Sequence, residues 1–453
     1  MSLIHEDSKE VLKSELELFA VPPTQTSVEQ TRFVKYYPTT SLDRGGPITF
    51  TIPSSAKEYI DGRKIFLYMK TRILDESSES LKKQKSAQDA TIPDASVVFP
   101  INYFGATCFK TVDLYINGTN CSANDTLYGY RAYLETLLSY GRAAKDEQLK
   151  ASFFYKDESP FNDTSNNVTK TDEDQSKNFG AVERFQRSKF STPFETYARV
   201  HTELFMQNKL LIGNVEINLR FHRADPSFAL MAKLATKRYV ISIDEAVLYV
   251  CHKKISDSIR EAHMLTLQSK TIKYPIRKVQ MKFFTRGPNR ADISEANICN
   301  GTLPRRIVFG LVDSEAFSGI YQKSPFNFEH FKLSTLSLRK NGEHVPFQEL
   351  HLDFSKNCSL QGYMALLEGT SHLFRDTSID IAPFEDYKSG YALYSFLLCP
   401  DHEEGSNVHL IEQGNISLEL KLAEASSKSI TIVCYLEFDS ICEIDHNFAV
   451  AYE

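Results

Sequence analysis

The stretch GYRAYLE occupies Gly129–Glu135, and GYMALLE occupies Gly362–Glu368. Five of their seven letters agree across a separation of 233 residues. Working outward from this pair, further matches occur in the same order along the chain. Arg63-Lys64-Ile65 matches Arg305-Arg306-Ile307, and Asn117-Gly118 matches Asn341-Gly342. GNVEINL (213–219) matches GNISLEL (414–420), and VISIDEAVLYV (240–250) loosely matches ITIVCYLEFDSI (430–441). Short strands and Asn-Gly turns recur by chance in β proteins, so each match alone says little. Five in one order argue for a duplicated unit, and the period is too long for a solenoid or propeller. The sequence reads as two copies of one whole domain.

The units are strand-rich. ITFTIP (48–53), KIFLYMKTRIL (64–74), ARVHTELFMQ (198–207), NVEINLRFHR (214–223) and RYVISIDEAVLYVCHK (238–253) are strand-like in the first copy. YPIRKVQMKFFTR (274–286), RRIVFGLVD (305–313), FKLSTLSLRKNGEHVPF (331–347), YKSGYALYSFLLCP (387–400), GNISLELKLAEA (414–425) and KSITIVCYLEFDSI (428–441) supply the second. Each Asn-Gly predicts a type I′ hairpin, because both residues tolerate positive φ. A helix follows each hairpin. The first is predicted over 127–151, with Leu134, Leu137 and Leu138 on one face and Gly141 as an interruption. About eight short strands per copy suit an all-β double jelly roll, two tandem eight-stranded sandwiches with short inserted helices.

The expected organisation is an N-terminal arm at 1–44, a first jelly roll at 45–254, a connecting helix at 255–269 and a second jelly roll with a C-terminal tail at 270–453. Residues 1–19 are read as a short amphipathic helix with Val11, Leu12, Leu16 and Phe19 along one side, broken by Pro22-Pro23. The stretches 75–96 and 156–180 are polar and read as solvated loops.

Composition narrows the function. Phe (31) and Tyr (22) are abundant and Trp is absent. A net charge of −6 argues against a broad, sequence-independent nucleic-acid surface. No apolar run reaches the length of a membrane span, and the charged start does not resemble a signal peptide. The eight cysteines form no CxxC pair, so free, mostly buried thiols are expected. The sequons at Asn117 and Asn415 then carry little weight.

Catalytic signals are thin. A bicupin enzyme, the main rival with two jelly rolls, needs a His-x-His pair, because imidazoles at i and i+2 share a strand face. The 12 histidines include no such pair. His201 and His222 stand alone in strands and read as structural. Ser314 lies outside any Gly-x-Ser-x-Gly elbow, and no Walker loop occurs. Asp401, Glu403 and Glu404 read as a solvated loop. Arg277 and Lys278 in KYPIRKVQMK (273–282) point to opposite strand faces, which argues against a DNA-binding stripe. A glycan-binding sandwich is the other rival, weakened by the lack of Trp. No catalytic, cofactor-binding or metal-binding residue is assigned, and no cofactor is expected.

Several segments resemble one family. YGYRAYLETLLSYG (128–141), ELFMQNKLLIGNVEINLRF (203–221), YPIRKVQMKFF (274–284), LPRRIVFGLVDSEAFSGIYQKSPFNFEHF (303–331), GYALYSFLLCPD (390–401) and LIEQGNISLELKLAEA (410–425) look like the major capsid protein of Polintons, or Mavericks, and of adintoviruses. The resemblance covers most of 30–445 and is more specific in the second half. It implies a non-enzymatic structural protein that forms homotrimers of six jelly rolls. These pseudo-hexagonal units would tile an icosahedral virion shell around double-stranded DNA, with a single jelly-roll penton protein at the vertices, a packaging ATPase and a maturation protease. The resemblance also implies synthesis in the host cytoplasm, with the nucleus as a candidate place of assembly.

Overall fold

The computed structural model describes residues 5–42, 45–77, 79–81, 93–122, 126–160, 162–163, 168, 178–401 and 407–452. The polar loops expected at 75–96 and 156–180 lie largely outside these residues, as do Glu403 and Glu404.

Eight strands build the first roll: β1 (Val28–Tyr36), β2 (Ile48–Ile52), β3 (Glu58–Asp75), β4 (Phe109–Ile116), β5 (Thr119–Asn120), β6 (Phe194–Arg199), β7 (Ile217–Arg223) and β8 (Tyr239–Ile255). Eight more build the second: β9 (Ile272–Arg286), β10 (Arg290–Thr302), β11 (Arg306–Asp313), β12 (Leu333–Lys340), β13 (Glu343–His351), β14 (Leu393–Leu397), β15 (Gln413–Ser426) and β16 (Ile430–Ile444). The first roll has sheets ordered β1-β8-β3-β6 and β2-β7-β4-β5, and the second has β9-β16-β11-β14 and β10-β15-β12-β13; outside this pattern Val450–Tyr452 pairs with β16, and Val98–Pro100 and Leu230–Ala232 form a separate two-stranded sheet. Adding eight to every label of the first roll gives the second. This is a jelly-roll order, written twice.

Side-chain alternation explains the packing. On β3, Ile65, Leu67, Met69, Thr71 and Ile73 are buried, while Phe66, Tyr68, Lys70 and Arg72 between them are only half-covered. The inward set meets Ile48, Phe50 and Ile52 of β2 and Ile217, Leu219 and Phe221 of β7, all in one dry core. Both Asn-Gly turns take the positive φ angles that the sequence implies: 48° and 84° at Asn117 and Gly118, 54° and 89° at Asn341 and Gly342. The helices that follow are α1 (Tyr128–Ser139) and, after α2 (Phe179–Ser188) and α3 (Asp257–Leu267), α4 (Leu360–Gly369). α1 ends near Gly141, where the chain turns before a second short helix at Arg142–Asp146.

Several expectations need correction. Residues 1–44 are not wholly an arm, because Val28–Tyr36 pairs antiparallel with β8 as an edge strand. Its residues are mostly exposed, so it has no inward–outward pattern for the sequence to display. Residues 5–27 form no amphipathic helix, only a 3-10 turn at Ser14–Leu16, and Val11, Leu12, Leu16 and Phe19 are exposed. A short helix with nothing to pack against is marginal in water. The strand expected at 198–207 ends at Arg199 and gives way to a helical turn at Glu203–Met206. Strand β10 was not expected, since RADISEANICNGT is largely polar, and most of its side chains are exposed or half-covered.

The register corrects one internal match. The Asn117 N–H donates to the Glu216 carbonyl, and its Oδ1 accepts from the Glu216 N–H; Asn341 does the same with Asn415. The ladders then place Ile217 beside Ile116 and Ile416 beside Lys340. Ile217, not Val215 as in the sequence match, is the equivalent of Ile416. A displacement of two residues keeps inward side chains inward, which is why the hydrophobic pattern alone did not expose it.

Candidate functional site

The feature with the most elaborate chemistry is the joint between the rolls, and the first copy of the repeated heptapeptide lies in it. Gly129 lets α1 approach closely: a Cβ there would lie 3.2 Å from the Thr107 carbonyl oxygen. From this helix Tyr130 stacks on Phe317 of the second roll at 5.6 Å, and Tyr133 lies flat on Phe326 at 4.1 Å with 8° between the rings. Arg131, also buried, bonds Glu135 at 2.9 Å and Glu203 at 2.6 Å. The His201 ring joins Glu135 at 2.6 Å and the Tyr103 hydroxyl at 2.8 Å. Glu203 also accepts from the Val279 N–H of β9 at 3.4 Å, so the network touches both rolls. Burial pushes the Glu135 carboxyl up, but Arg131 and His201 outweigh it and hold it at about 2. Lys145 ties the rolls together nearby, donating to Leu137 O at 2.9 Å and Ile379 O at 2.5 Å. Burial lowers its ammonium to about 7, against the pull of Asp380.

The residues weighed in the sequence fall apart from one another. His201 serves the network just described. His222 pairs with Asp113 at 3.1 Å and is partly exposed. Ser314 shares a hydrogen bond with Thr431 at 2.9 Å. Arg277 forms ion pairs with Glu437 and Asp439, while Lys278 stands over the Tyr452 ring at 5.3 Å, so these two cations have separate partners. None of the eight cysteines forms a disulfide, and only Cys358 is exposed.

Sequence reasoning missed Arg131, Glu203 and Lys145, because a charged residue on a helix reads as solvent-facing. It read Asp401 as part of a solvated loop and passed over Cys399 and His409 beside it; the ligand atoms of these three residues lie within 4.8 Å of one another, a spacing that a metal ion could bridge. Their signal was the stretch CPDHEEGSNVH at 399–409. The Arg305 guanidinium stands 3.3 Å from His409 and 3.8 Å from Asp439, and a fixed positive charge beside the cluster disfavours a cation. No helix among the described residues is long and apolar enough to cross a membrane.

No protein-family model matches the chain. An uncharacterized protein of Caenorhabditis elegans is 25% identical over 431 residues, which span 94% of this chain and 97% of that one. Among solved structures, a chain of the Sputnik virophage superposes with a TM-score of 0.63 at 14% identity, covering 99% of this chain and 94% of its own. The Faustovirus major capsid protein gives 0.53 at 9% identity over 95% and 92%. The mavirus major capsid protein gives 0.51 at 10% identity over 100% and 96%. At such identities the likeness is one of fold, and it extends over nearly the whole of each chain: this chain has the double jelly roll of viral major capsid proteins.

Proposed function

We propose that this chain is the major capsid protein of a virus-like element of the Polinton or Maverick type. Three copies form a ring of six jelly rolls, and these rings tile an icosahedral shell around double-stranded DNA. The role is structural, not catalytic. The observation that carries the reading is the whole-domain duplication, with the same strand order in both rolls and a joint built from stacked aromatics and a buried charge network. A six-roll ring needs each chain to bring two like units fixed at a set angle, and a rigid joint supplies that. The full-length capsid likenesses support it. The nearly full-length nematode relative supports an element carried by animals. Closure of a hexagonal lattice would require a different protein at fivefold vertices, for which a single jelly roll is the natural size.

Light scattering coupled to size-exclusion chromatography tests the reading. The expected mass is that of three 51.6 kDa chains. A single-chain mass at every concentration would overturn it.

A further inference from the structure

The two rolls share a topology but differ in how far their outer faces are covered. With Ile65 of β3 matched to Ile307 of β11, the registers carry Phe66 onto Val308, Tyr249 onto Tyr435 and Phe33 onto Val279. In the second roll these three outward positions are dry: Val308 and Val279 are each 2% exposed and Tyr435 is 9%. Val279 and Tyr435 lie under the first roll, where the Glu203 carboxylate reaches Val279 and Arg131 and Glu135 act on Tyr435. In the first roll the same positions are left open. Phe33 is 54% exposed, and Phe66 and Tyr249 are half-covered. Tyr197 joins Phe66 and Tyr249 into one aromatic face, 5.0 Å and 5.5 Å between ring centres, and Phe33 lies on the same face two residues from Lys35, which stands over Tyr249.

The helices show the reverse. α1, which covers the second roll, is buried through nearly its whole length. Its counterpart α4 leaves Leu360 46% and Met364 39% exposed, and Met364 stands where α1 has Arg131. One chain thus carries an open helix at one end, an open sheet face at the other, and the same two features already joined in the middle.

We infer that α4, through Leu360 and Met364, docks on the first roll of a second copy of this chain, against Phe33, Phe66 and Tyr249. It does so as Arg131 of α1, together with the Glu203–Met206 turn, meets the second roll at Val279 and Tyr435 within one chain. The inference rests on the three-chain ring proposed above and assigns the surfaces that close it. Such a contact is head-to-tail, so repetition closes a ring without leaving an open end. The chemistry fits. Arg131 needs Glu135 and Glu203 to answer its buried charge, whereas a thioether over aromatic rings needs no partner charge and is itself favourable. Aromatic and Met side chains are also enriched at the centres of protein interfaces.

The test uses Phe33→Asp and Met364→Asp in the full chain, with Leu265→Asp on the exposed side of α3 as control. Light scattering should give a three-chain mass for the unaltered protein and the control, and a one-chain mass for each of the other two, which keep the same circular dichroism and a cooperative unfolding transition whose midpoint is lowered only by the lost association. Mixing the two variants should give a two-chain mass, because each keeps one intact surface and together they rebuild a single contact. If the unaltered protein is a trimer and both variants remain trimers, the surface assignment is overturned and the ring survives. If the unaltered protein is a monomer throughout, the ring reading fails and takes this inference with it. Should either variant unfold, a second measurement decides. In a Cys358→Ser background, the Phe33→Cys, Met364→Cys double variant treated with a short bis-maleimide should give an inter-chain ladder ending at three chains. The single-cysteine variants should not. A trimeric double variant that gives no ladder overturns the assignment.

Discussion

Arg131 sits between two carboxylates with almost no access to water, an arrangement that is costly to break. Replacing it with Met, the residue at the matching position of α4, would leave Glu203 without its cation and Glu135 with His201 alone. Removing one partner of such a buried pair costs about 3–5 kcal/mol. Chemical denaturation of Arg131→Met should show a loss of that size, and the further changes Glu135→Gln and Glu203→Gln should recover part of it. Lys145 makes a separate claim about pH. Its folded pKa of about 7 lies below the unfolded value of about 10.4. Between those values the folded chain binds fewer protons than the unfolded one, so this group makes stability rise with pH from about 7 to 10. Buried tyrosines such as Tyr130, raised by their burial, act oppositely at the upper end. The difference between the unaltered protein and Lys145→Met therefore isolates the effect: the variant should lack the rise, and parallel curves from pH 7.5 to 9.5 would contradict it. At this scale the sequence was a partial guide. His201, read from the sequence as a lone strand histidine, lies beyond the end of its strand at Arg199 and is bonded to Glu135 and Tyr103. Nothing in the local pattern marks Arg131 or Lys145 as buried, since the atoms that bury them come from the other roll or from loops remote in sequence.

Elements were legible where local chemistry settled them. The Asn-Gly turns are the clearest case. Gly118 and Gly342 have φ near 84° and 89°, and nothing lies within 4 Å of a Cβ at either position. Gly118→Ala and Gly342→Ala should each therefore cost about 1–2 kcal/mol from left-handed strain alone, read as a shift in denaturation midpoint. Equal stability would mean that the turns relax. The strands that escaped notice are β1 and β10. Both carry polar residues on both faces, and their pairing with β8 and β15 comes from the backbone, which leaves no mark on hydrophobic periodicity. The opposite effect separates β11 from its equivalent β3. Ile307–Asp313 is buried on both faces and reads as a nearly continuous apolar run, whereas β3 alternates. A strand covered on both sides loses its alternation, so the sequence already recorded that the second roll's sheet is covered and the first roll's is not.

At the scale of the molecule, the repeat made the fold readable without any structure, because two copies of one pattern confirm each other even when each is weak. The extent of the arm was less readable. Residues 5–27 lie on the surface with Phe19 99% exposed, while 28–36 complete a sheet. Deleting residues 1–22 should leave the thermal midpoint unchanged, and deleting 1–36 should lower it by uncovering β8. Equal effects of the two deletions would show that β1 adds nothing to the first roll. The central claim, that two like rolls in one chain exist to build a closed six-roll ring, is tested most directly by single-particle electron microscopy of the purified full chain. Class averages should show six lobes around a threefold axis. Particles of only two lobes, at every concentration imaged, would contradict the account.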